Sequence, residues 1–413
     1  QSINRHTKNQ PSPTFAAMKT VNDFNFNGKR VLVRVDFNVP LDKTTFAVTD
    51  NTRIKAALRT INKILSDGGS VVLMSHLGRP KEGPAEKYSL KHVLSELSSL
   101  INRPVAFVDD CMSATSACNE LKAGEVLLLE NLRFYKDEER GDVDFAKKLA
   151  DYGDFYVNDA FGTAHRRHAS TAVVAEYFVG KRCAGFLMAD EIQNAQKVLE
   201  GAKRPYTAIT GGAKVSDKIL IIEQLLERVD NLIIGGGMAY TFFRAMGRQT
   251  GSSLCEEDRL QNALDILEAA KKKGVKILLP IDSIVADSFS NEAAHHVCKS
   301  DQIEAGWMGL DIGPEASQSF AETIENSATL LWNGPMGVFE MSNFEKGTRT
   351  VAQAVADATS KGAYSLIGGG DSAAAVNKFG FADRVSYVST GGGALLEFLE
   401  GKKLPGVELL LVD

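Results

Sequence analysis

Two kinds of anion-binding chemistry stand at the ends of apolar runs in this 413-residue chain. In the second half the runs close in glycine: Gly211-Gly212, Gly235-Gly236-Gly237, Gly368-Gly369-Gly370 and Gly391-Gly392-Gly393. In the first half they close in charge: Arg34-Val35-Asp36, Ser75-His76-Leu77-Gly78-Arg79, Glu130-Asn131-Leu132-Arg133 and Asn158-Asp159. Bare backbone amides suit a polyphosphate lying against the chain, whereas clustered guanidinium groups suit a small, mobile anion. The pattern predicts a nucleotide site in the second half and a small-acid site in the first.

The sharpest motif is Gly368-Gly369-Gly370-Asp371-Ser372, with a helix starting at 373. Its amides can hold phosphate while Asp371 faces a divalent cation bound to that phosphate. An acidic residue there can also be a helix N-cap, and the two roles are compatible. Gly368-x-Gly370-x-x-Ala373 satisfies the loose dinucleotide fingerprint, but the next strand ends in Ser389-Thr390 and lacks the acid that would bind a ribose. No Walker-type P-loop occurs. Lys214 and Lys218 follow Gly211-Gly212 one helical turn apart, which predicts two ammonium groups on one side of the incoming helix. Trp332-Asn333-Gly334-Pro335-Met336-Gly337 is a strand end with a stiff loop, and Glu340 beyond it could accept hydrogen bonds from a ribose. In the first half Arg53, Arg79, Arg133, Arg166 and His76 all fall at strand exits or in the helices after them. Any one could be an unrelated surface cation; convergence on one sheet edge argues for an anion site. His165-Arg166-Arg167-His168 has histidine spacing that could suggest a metal, but it has no third ligand nearby and two cations that would repel one.

Positioning such groups requires strands whose carboxyl ends share an edge. Short runs rich in Val, Ile, Leu and Tyr alternate with longer amphipathic stretches, the pattern of parallel strands joined by crossover helices. Predicted strands are 31–36, 71–76, 105–109, 126–131 and 155–159, then 206–211, 231–235, 276–282, 329–333, 364–368 and 385–390. Near-continuous apolar character implies strands covered on both faces, so the fold class is α/β with a doubly wound parallel sheet in each half. A helix over 188–200, with Met188, Ile192, Ala195 and Leu199 on its apolar face, is expected to join the halves. The length itself favours two domains: 18–187, a linking helix and hinge at 188–203, and 204–399 opening with Pro205.

The balance of 47 Lys+Arg against 52 Asp+Glu, net charge -5, argues against a general nucleic-acid binder, so any anion site must be local. No run approaches the roughly 20 apolar residues of a membrane span. Five cysteines without metal-ligand spacing read as reduced thiols of an intracellular, cytoplasmic protein. Residues 1–17 precede the first methionine, carry no acid and lack periodicity; they read as a leader or an added segment, and a native leader would allow an organellar location.

Arg34-Val35-Asp36-Phe37-Asn38-Val39-Pro40, Ser75-His76-Leu77-Gly78-Arg79-Pro80, Glu130-Asn131-Leu132-Arg133-Phe134, Asn158-Asp159-Ala160-Phe161-Gly162-Thr163-Ala164-His165-Arg166, Gly211-Gly212-Ala213-Lys214-Val215 and Gly368-Gly369-Gly370-Asp371-Ser372 closely resemble the phosphoglycerate kinase family, in order from about Lys19 onward. The resemblance implies two Rossmann-like domains facing across a cleft, with 3-phosphoglycerate or 1,3-bisphosphoglycerate on the first and magnesium-bound ADP or ATP on the second. It implies that Asp36 and Asn38, with Phe37 between them, hold the hydroxyl and acyl end of the substrate. By the same resemblance Arg53 sits at the reacting carboxyl, and His76, Arg79, Arg133 and Arg166, with Leu77 and Gly78, grip the distal phosphate. Lys214 would meet the transferred phosphoryl group, Lys218 the nucleotide phosphates, Asp371 the magnesium and Glu340 the ribose. Gly211, Gly212, Ala213, Gly236, Gly237, Gly309, Leu310, Asn333, Pro335, Gly369, Gly370 and Ser372 would complete the nucleotide pocket. Ser372 stands where many members have Thr and keeps the hydroxyl. The tail at 400–413 is implied to return to the first domain, catalysis to follow hinge closure, and the chain to act as a monomer.

The implied chemistry explains the lack of an obvious general base. A carboxylate acceptor is already ionised at neutral pH, so catalysis reduces to in-line alignment and charge cancellation on the transferring group. Two rival readings stay open on the residues alone. A dinucleotide oxidoreductase fits the α/β halves but lacks the ribose acid. A non-catalytic nucleotide-binding protein could keep the glycines without needing Lys214 and the arginine set together.

Overall fold

The computed structural model describes residues 18–411; the predicted leader at 1–17 and the last two residues lie outside the described residues. The chain forms two compact units, one running to Ile192 and resuming at Lys403, the other spanning Gln193–Lys402.

In the first unit β1 (Arg30–Arg34), β2 (Ser70–Met74), β3 (Val105–Val108), β4 (Val126–Leu129), β5 (Phe155–Asn158) and β6 (Arg182–Ala184) form a parallel sheet in the order β3-β4-β2-β1-β5-β6. Successive residues feed two cores. Val31 and Val33 share one with Ile54, Ile61 and Ile64 of the helix Thr52–Ser66, while Leu32 shares the other with Phe145 and Leu149 of the helix Val143–Ala150. This double cover is why the strands read as unbroken apolar runs. The predicted strands 31–36, 71–76 and 126–131 overrun the observed ones, because side chains take over the backbone donors beyond the sheet. Phe37 N donates to Ser75 Oγ at 2.8 Å and Leu77 N to Asn131 Oδ1 at 3.2 Å. Strand β6, three residues long, escaped prediction. The chain from Lys403 packs on this unit through buried Leu404 and Val407, with Gly406 N donating to Ala164 O at 2.9 Å and Asn158 Nδ2 to Gly406 O at 3.1 Å.

Asp159, just past β5, is fully buried; its Oδ1 accepts from Met188 N at 3.2 Å, while its Oδ2 has no hydrogen-bond partner. Burial raises its pKa to about 7, against the hydrogen bonds from Thr60, Met188 and Leu187, which favour the anion. A carboxyl that holds its proton more tightly when folded contributes stability that is full below about pH 4 and is lost as pH rises to about 7. Asp159→Asn should therefore gain stability over the parent between those limits, on the order of 2 kcal/mol. Urea midpoints measured against pH for both proteins check this, and a constant difference would refute it.

In the second unit come β7 (Tyr206–Thr210), β8 (Asn231–Ile234), β9 (Gln249–Thr250), β10 (Lys276–Leu278), β11 (Asp282–Ala286), β12 (His295–Lys299), β13 (Gln302–Ile303), β14 (Met308–Ile312), β15 (Thr329–Asn333), β16 (Tyr364–Gly368) and β17 (Tyr387–Val388). The order β10-β8-β7-β15-β16-β17 makes a second six-stranded parallel sheet. Both units are thus parallel-sheet α/β folds, as expected. The predicted strand 276–282 is instead the end of one element and the start of another. Pro280, which cannot donate to a ladder, separates β10 from β11. The second element opens an antiparallel sheet, β12-β11-β14, absent from the sequence reading because its edge strand β12 is largely exposed and lacks an apolar run. The strand expected at 385–390 shrinks to β17.

The helix Phe186–Leu199 begins two residues before the predicted 188, and the boundary between the units falls inside it at Ile192. Met188, Ile192 and Ala195 are buried as expected, but Val198 rather than Leu199 completes the stripe. After β7 the helix starts only at Ile219 with Lys218 as its N-cap, so Lys214 lies in the loop and not one helical turn along the same helix.

Candidate active site

Each parallel sheet changes winding direction once, between β1 and β5 in the first unit and between β7 and β15 in the second. The loops leaving such a pair diverge and open a crevice at the carboxyl ends of the strands. The charged motifs follow β1, β2, β4 and β5, and the glycine runs follow β7, β8, β16 and β17, with the loop Gly334-Pro335-Met336-Gly337 after β15.

In the first unit Asp36, beyond β1, receives Arg53 Nη1 on both oxygens, at 3.0 and 2.8 Å. Asn38 N donates to Asp36 Oδ1 at 3.1 Å, Gly78 N donates to Asn38 Oδ1 at 2.8 Å, and Arg133 Nη1 donates to Gly78 O at 3.2 Å. One chain of hydrogen bonds therefore links the loops after β1, β2 and β4. Gly78 is obligatory in it: its φ is +64° and an added Cβ would lie 2.5 Å from the Tyr88 ring. His76 is buried, and its pKa is held well below the ordinary histidine value by burial, then by Arg34, Arg133, Arg53 and His168. Burial lowers Arg133 too, with Glu139 opposing and Arg34 and Arg79 adding to the shift. His168 is lowered to about 4 by burial and by Arg133, Arg34, Arg166 and His165. These mutual influences bring Arg53, Arg79, Arg133, Arg166 and His76 into one cationic cluster, with Arg79 and Arg166 exposed at its surface. Such a cluster can take up an anion of more than one charge.

Phe37 and Leu77 are placed differently from expectation. Both side chains are buried in the hydrophobic core, so they support the loops and present no side chain to a ligand. The sequence reading missed Arg34 and His168 as members of the cluster. Arg34 ends the apolar strand Arg30–Arg34 and is wholly buried, a signal that a functional or structural anion partner was needed. For His168, spacing alone suggests only a metal ligand.

In the second unit a cavity of about 750 Å³ is lined by Gly212, Ala213, Gly236, Gly237, Gly309, Leu310, Pro335, Glu340 and Asp371, among the expected residues. It is also lined by Met336, Gly337 and Val338 of the stiff loop after β15, and by Tyr240, Leu254, Phe289, Met308 and Asp311, which the sequence did not mark. Its size and apolar walls suit a nucleoside. Gly309 and Leu310 lie on β14 in the unpredicted antiparallel sheet, where a Cβ at Gly309 would fall 1.9 Å from Tyr240 Oη.

The glycine amides are not uniformly bare. Gly211 N donates to Asn333 O, Gly212 N to Pro335 O and Gly236 N to Met336 O, each at 3.0 Å. These glycines let three loops pack backbone against backbone. The helix Gly370–Lys378 is capped by Gly369, not by Asp371, and its first-turn amides, among them those of Gly370 and Asp371, have no intrahelical acceptor. Those are the groups available to a phosphate. Ser372 is fully buried and its Oγ accepts from Gly334 N at 2.6 Å, which ties the loop after β15 to this helix. Lys218 Nζ bonds Asn333 Oδ1, and Asn333 Nδ2 donates to Gly368 O at 3.1 Å. Burial lowers the Lys218 pKa against the pull of Asp217, Asp371 and Glu400. Lys214 is exposed on its loop, and Glu340 is exposed at the cavity wall.

Asp371 is an exposed carboxylate at the cavity, and among the described residues no group of three or more His, Cys, Asp or Glu could cage a metal. A lone carboxylate fits a magnesium ion that takes its remaining ligands from water and bound phosphates.

The family model described as phosphoglycerate kinase matches residues 21–402. A phosphoglycerate kinase of Porphyromonas gingivalis is 53% identical, with 94% of this chain and 99% of that protein covered. A protein of Volvox carteri named phosphoglycerate kinase, chloroplastic, is 52% identical over 96% of this chain and 86% of its own length. The solved phosphoglycerate kinase of Coxiella burnetii superposes with a TM-score of 0.86 at 42% identity, covering 95% of this chain and 98% of that one. With both sheets, the cationic cluster and the glycine-walled cavity in place, the match over nearly the whole length establishes that the chain belongs to the phosphoglycerate kinase family.

Proposed function

We propose that the two sites divide the work of the family reaction, reversible phosphoryl transfer between 1,3-bisphosphoglycerate and ADP giving 3-phosphoglycerate and ATP. The chain is a phosphotransferase with a carboxyl group as acceptor. The observation that carries the division of labour is the segregation of chemistry: a cationic cluster on one unit and an apolar, glycine-walled cavity on the other. The first unit takes the glycerate. Asp36 and Asn38 receive its hydroxyl and acyl end, Arg53 lies at the carboxyl, and His76, Arg79, Arg133 and Arg166 hold the phosphate. Nucleotide goes to the second unit, with the base in the cavity, the ribose at Glu340, and the phosphates at the first turn of the helix Gly370–Lys378 and at Lys218. Asp371 would hold a nucleotide-bound magnesium, which supplies charge neutralisation on the phosphates.

Lys214 follows the transferring group. No base acts on the acceptor, since a carboxylate needs no deprotonation. With acceptor and donor held on different units, near-contact of the reacting atoms calls for a closing motion, which we assign to the residues around 188–203. We assign the chain to the cytoplasm as a monomer; the Volvox carteri relative named chloroplastic keeps an organellar site in view should residues 1–17 be a native leader.

Arg133→Ala tests the division. Losing a charge-assisted contact costs about 2 kcal/mol, so the apparent KM for 3-phosphoglycerate should rise roughly thirtyfold while ATP affinity barely moves. A coupled assay for acyl phosphate formation together with direct titration of each ligand gives both numbers. Equal weakening of ATP and 3-phosphoglycerate binding would overturn the assignment of the two sites.

A further inference from the structure

A buried hydrogen-bonded relay stands behind His76. Arg34 Nε donates to Ser170 Oγ at 2.8 Å, Arg34 Nη1 donates to Val35 O, and Arg34 Nη2 lies 3.2 Å from His76 Nδ1. Ser170 Oγ donates to Glu138 Oε1 at 2.5 Å, and Ser170 N donates to Glu138 Oε2 at 3.0 Å. Glu138 and Ser170 are as deeply buried as Arg34.

The direction of this relay is set by the donor inventory. A guanidinium only donates, so the Ser170 hydroxyl accepts from Arg34 and spends its own proton on Glu138. For the same reason His76 Nδ1 must offer a lone pair to Arg34 Nη2, which leaves the single ring proton on Nε2. An imidazolium would set N–H against N–H. Glu138, reached through one hydroxyl, ends the relay as its acceptor.

We propose that Glu138 is a positioning residue for the substrate site: through Ser170 it fixes Arg34, and Arg34 holds His76 as the neutral ring with its proton on Nε2. His76 then serves the substrate phosphate as a neutral donor, and its contribution to binding does not switch on as the pH falls through the ordinary histidine range. The charged and titratable groups facing His76 act together in this: Arg34 on β1, Arg53 on the helix Thr52–Ser66, Arg133 after β4 and His168 after β5 all oppose a second proton on the ring. No sequence motif gives Glu138 a role. The tautomer stands on the relay alone; only the identity of the phosphate rests on the proposed function.

Nitrogen-15 NMR of the full chain labelled at histidine, without ligand, tests the tautomer, with His76 assigned by the signal lost in His76→Gln. The expected spectrum shows Nδ1 unprotonated and Nε2 protonated from about pH 8 down to about pH 5.5, a unit below the ordinary histidine value. Glu138→Leu removes the acceptors for Ser170 at similar volume. It should release Arg34, let the His76 ring titrate, and raise the apparent KM for 3-phosphoglycerate about tenfold with kcat and the KM for ATP little changed. Glu138→Gln can still accept from Ser170 N and reach its hydroxyl, so it should recover most of that affinity. The proposal is overturned by a ligand-free parent whose His76 carries its proton on Nδ1 or titrates at the ordinary value, or by a Gln variant as weak as the Leu variant. If Glu138→Leu does not fold, the parent spectrum still decides. A parent that fails to bind 3-phosphoglycerate would instead defeat the functional reading and leave the tautomer result standing.

Discussion

Lys214→Ala should lower kcat by at least about a hundredfold, the loss expected when one preorganised electrostatic contact to a transition state is removed. The two lysines after β7 sit in different environments, and that difference assigns their work. Lys218 caps the helix Ile219–Leu226, is partly buried, and is already engaged with Asn333. A fixed ammonium suits ground-state phosphate binding. Lys214 is exposed in the preceding loop, four residues short of the N-cap, so its side chain is free to follow a phosphoryl group as charge spreads over its oxygens. An interaction made only in the transition state lowers kcat when lost, whereas uniform binding shows in KM. Steady-state kinetics with ATP titration should therefore show a kcat defect in Lys214→Ala and an affinity defect in Lys218→Ala. Near-normal turnover by folded Lys214→Ala would sink the assignment.

Much of this arrangement was legible because parallel strands buried on both faces must be apolar at every position, so the charged and glycine-rich residues at their ends stand out. Strands β15 and β16 fell on the predicted residues, and β1, β2 and β4 began within one residue of them. The antiparallel sheet β12-β11-β14 was not legible, since β12 is exposed along most of its length and an edge strand needs no apolar run. Its loss mattered: β14 carries Gly309 and Leu310 into the cavity, and only the family resemblance pointed to them. Hydrophobic neighbours inside a functional motif misled in the other direction. Phe37 and Leu77 sit between polar ligand candidates, yet strand-end geometry turns them into the core. Burial decided what spacing could not. Arg34, Glu138 and His168 gain their significance from being removed from water together, a property of the folded chain that no local pattern of residues carries.

The glycines pose the same problem in its most testable form. A glycine can be required because a phosphate approaches its amide, or because another backbone does. Gly211 belongs to the second kind. Its amide donates to Asn333 O at 3.0 Å, and a Cβ placed on it would stand 2.1 Å from Pro335 O and 2.8 Å from Gly334 O, with no left-handed φ involved. Backbone atoms of a neighbouring loop cannot swing aside as a side chain can. Gly211→Ala should therefore cost about 3 kcal/mol, the upper end for an inserted methyl group. Gly274→Ala is the contrast: φ is +70° with nothing within 4 Å, so only the left-handed backbone penalty applies, about 1 kcal/mol. Both tryptophans of the chain, Trp307 and Trp332, lie in Gln193–Lys402, so their fluorescence during urea unfolding reports on the unit that carries both substitutions. A Gly211→Ala protein as stable as its parent but weakened in ATP binding would return this glycine to the phosphate and refute the packing argument.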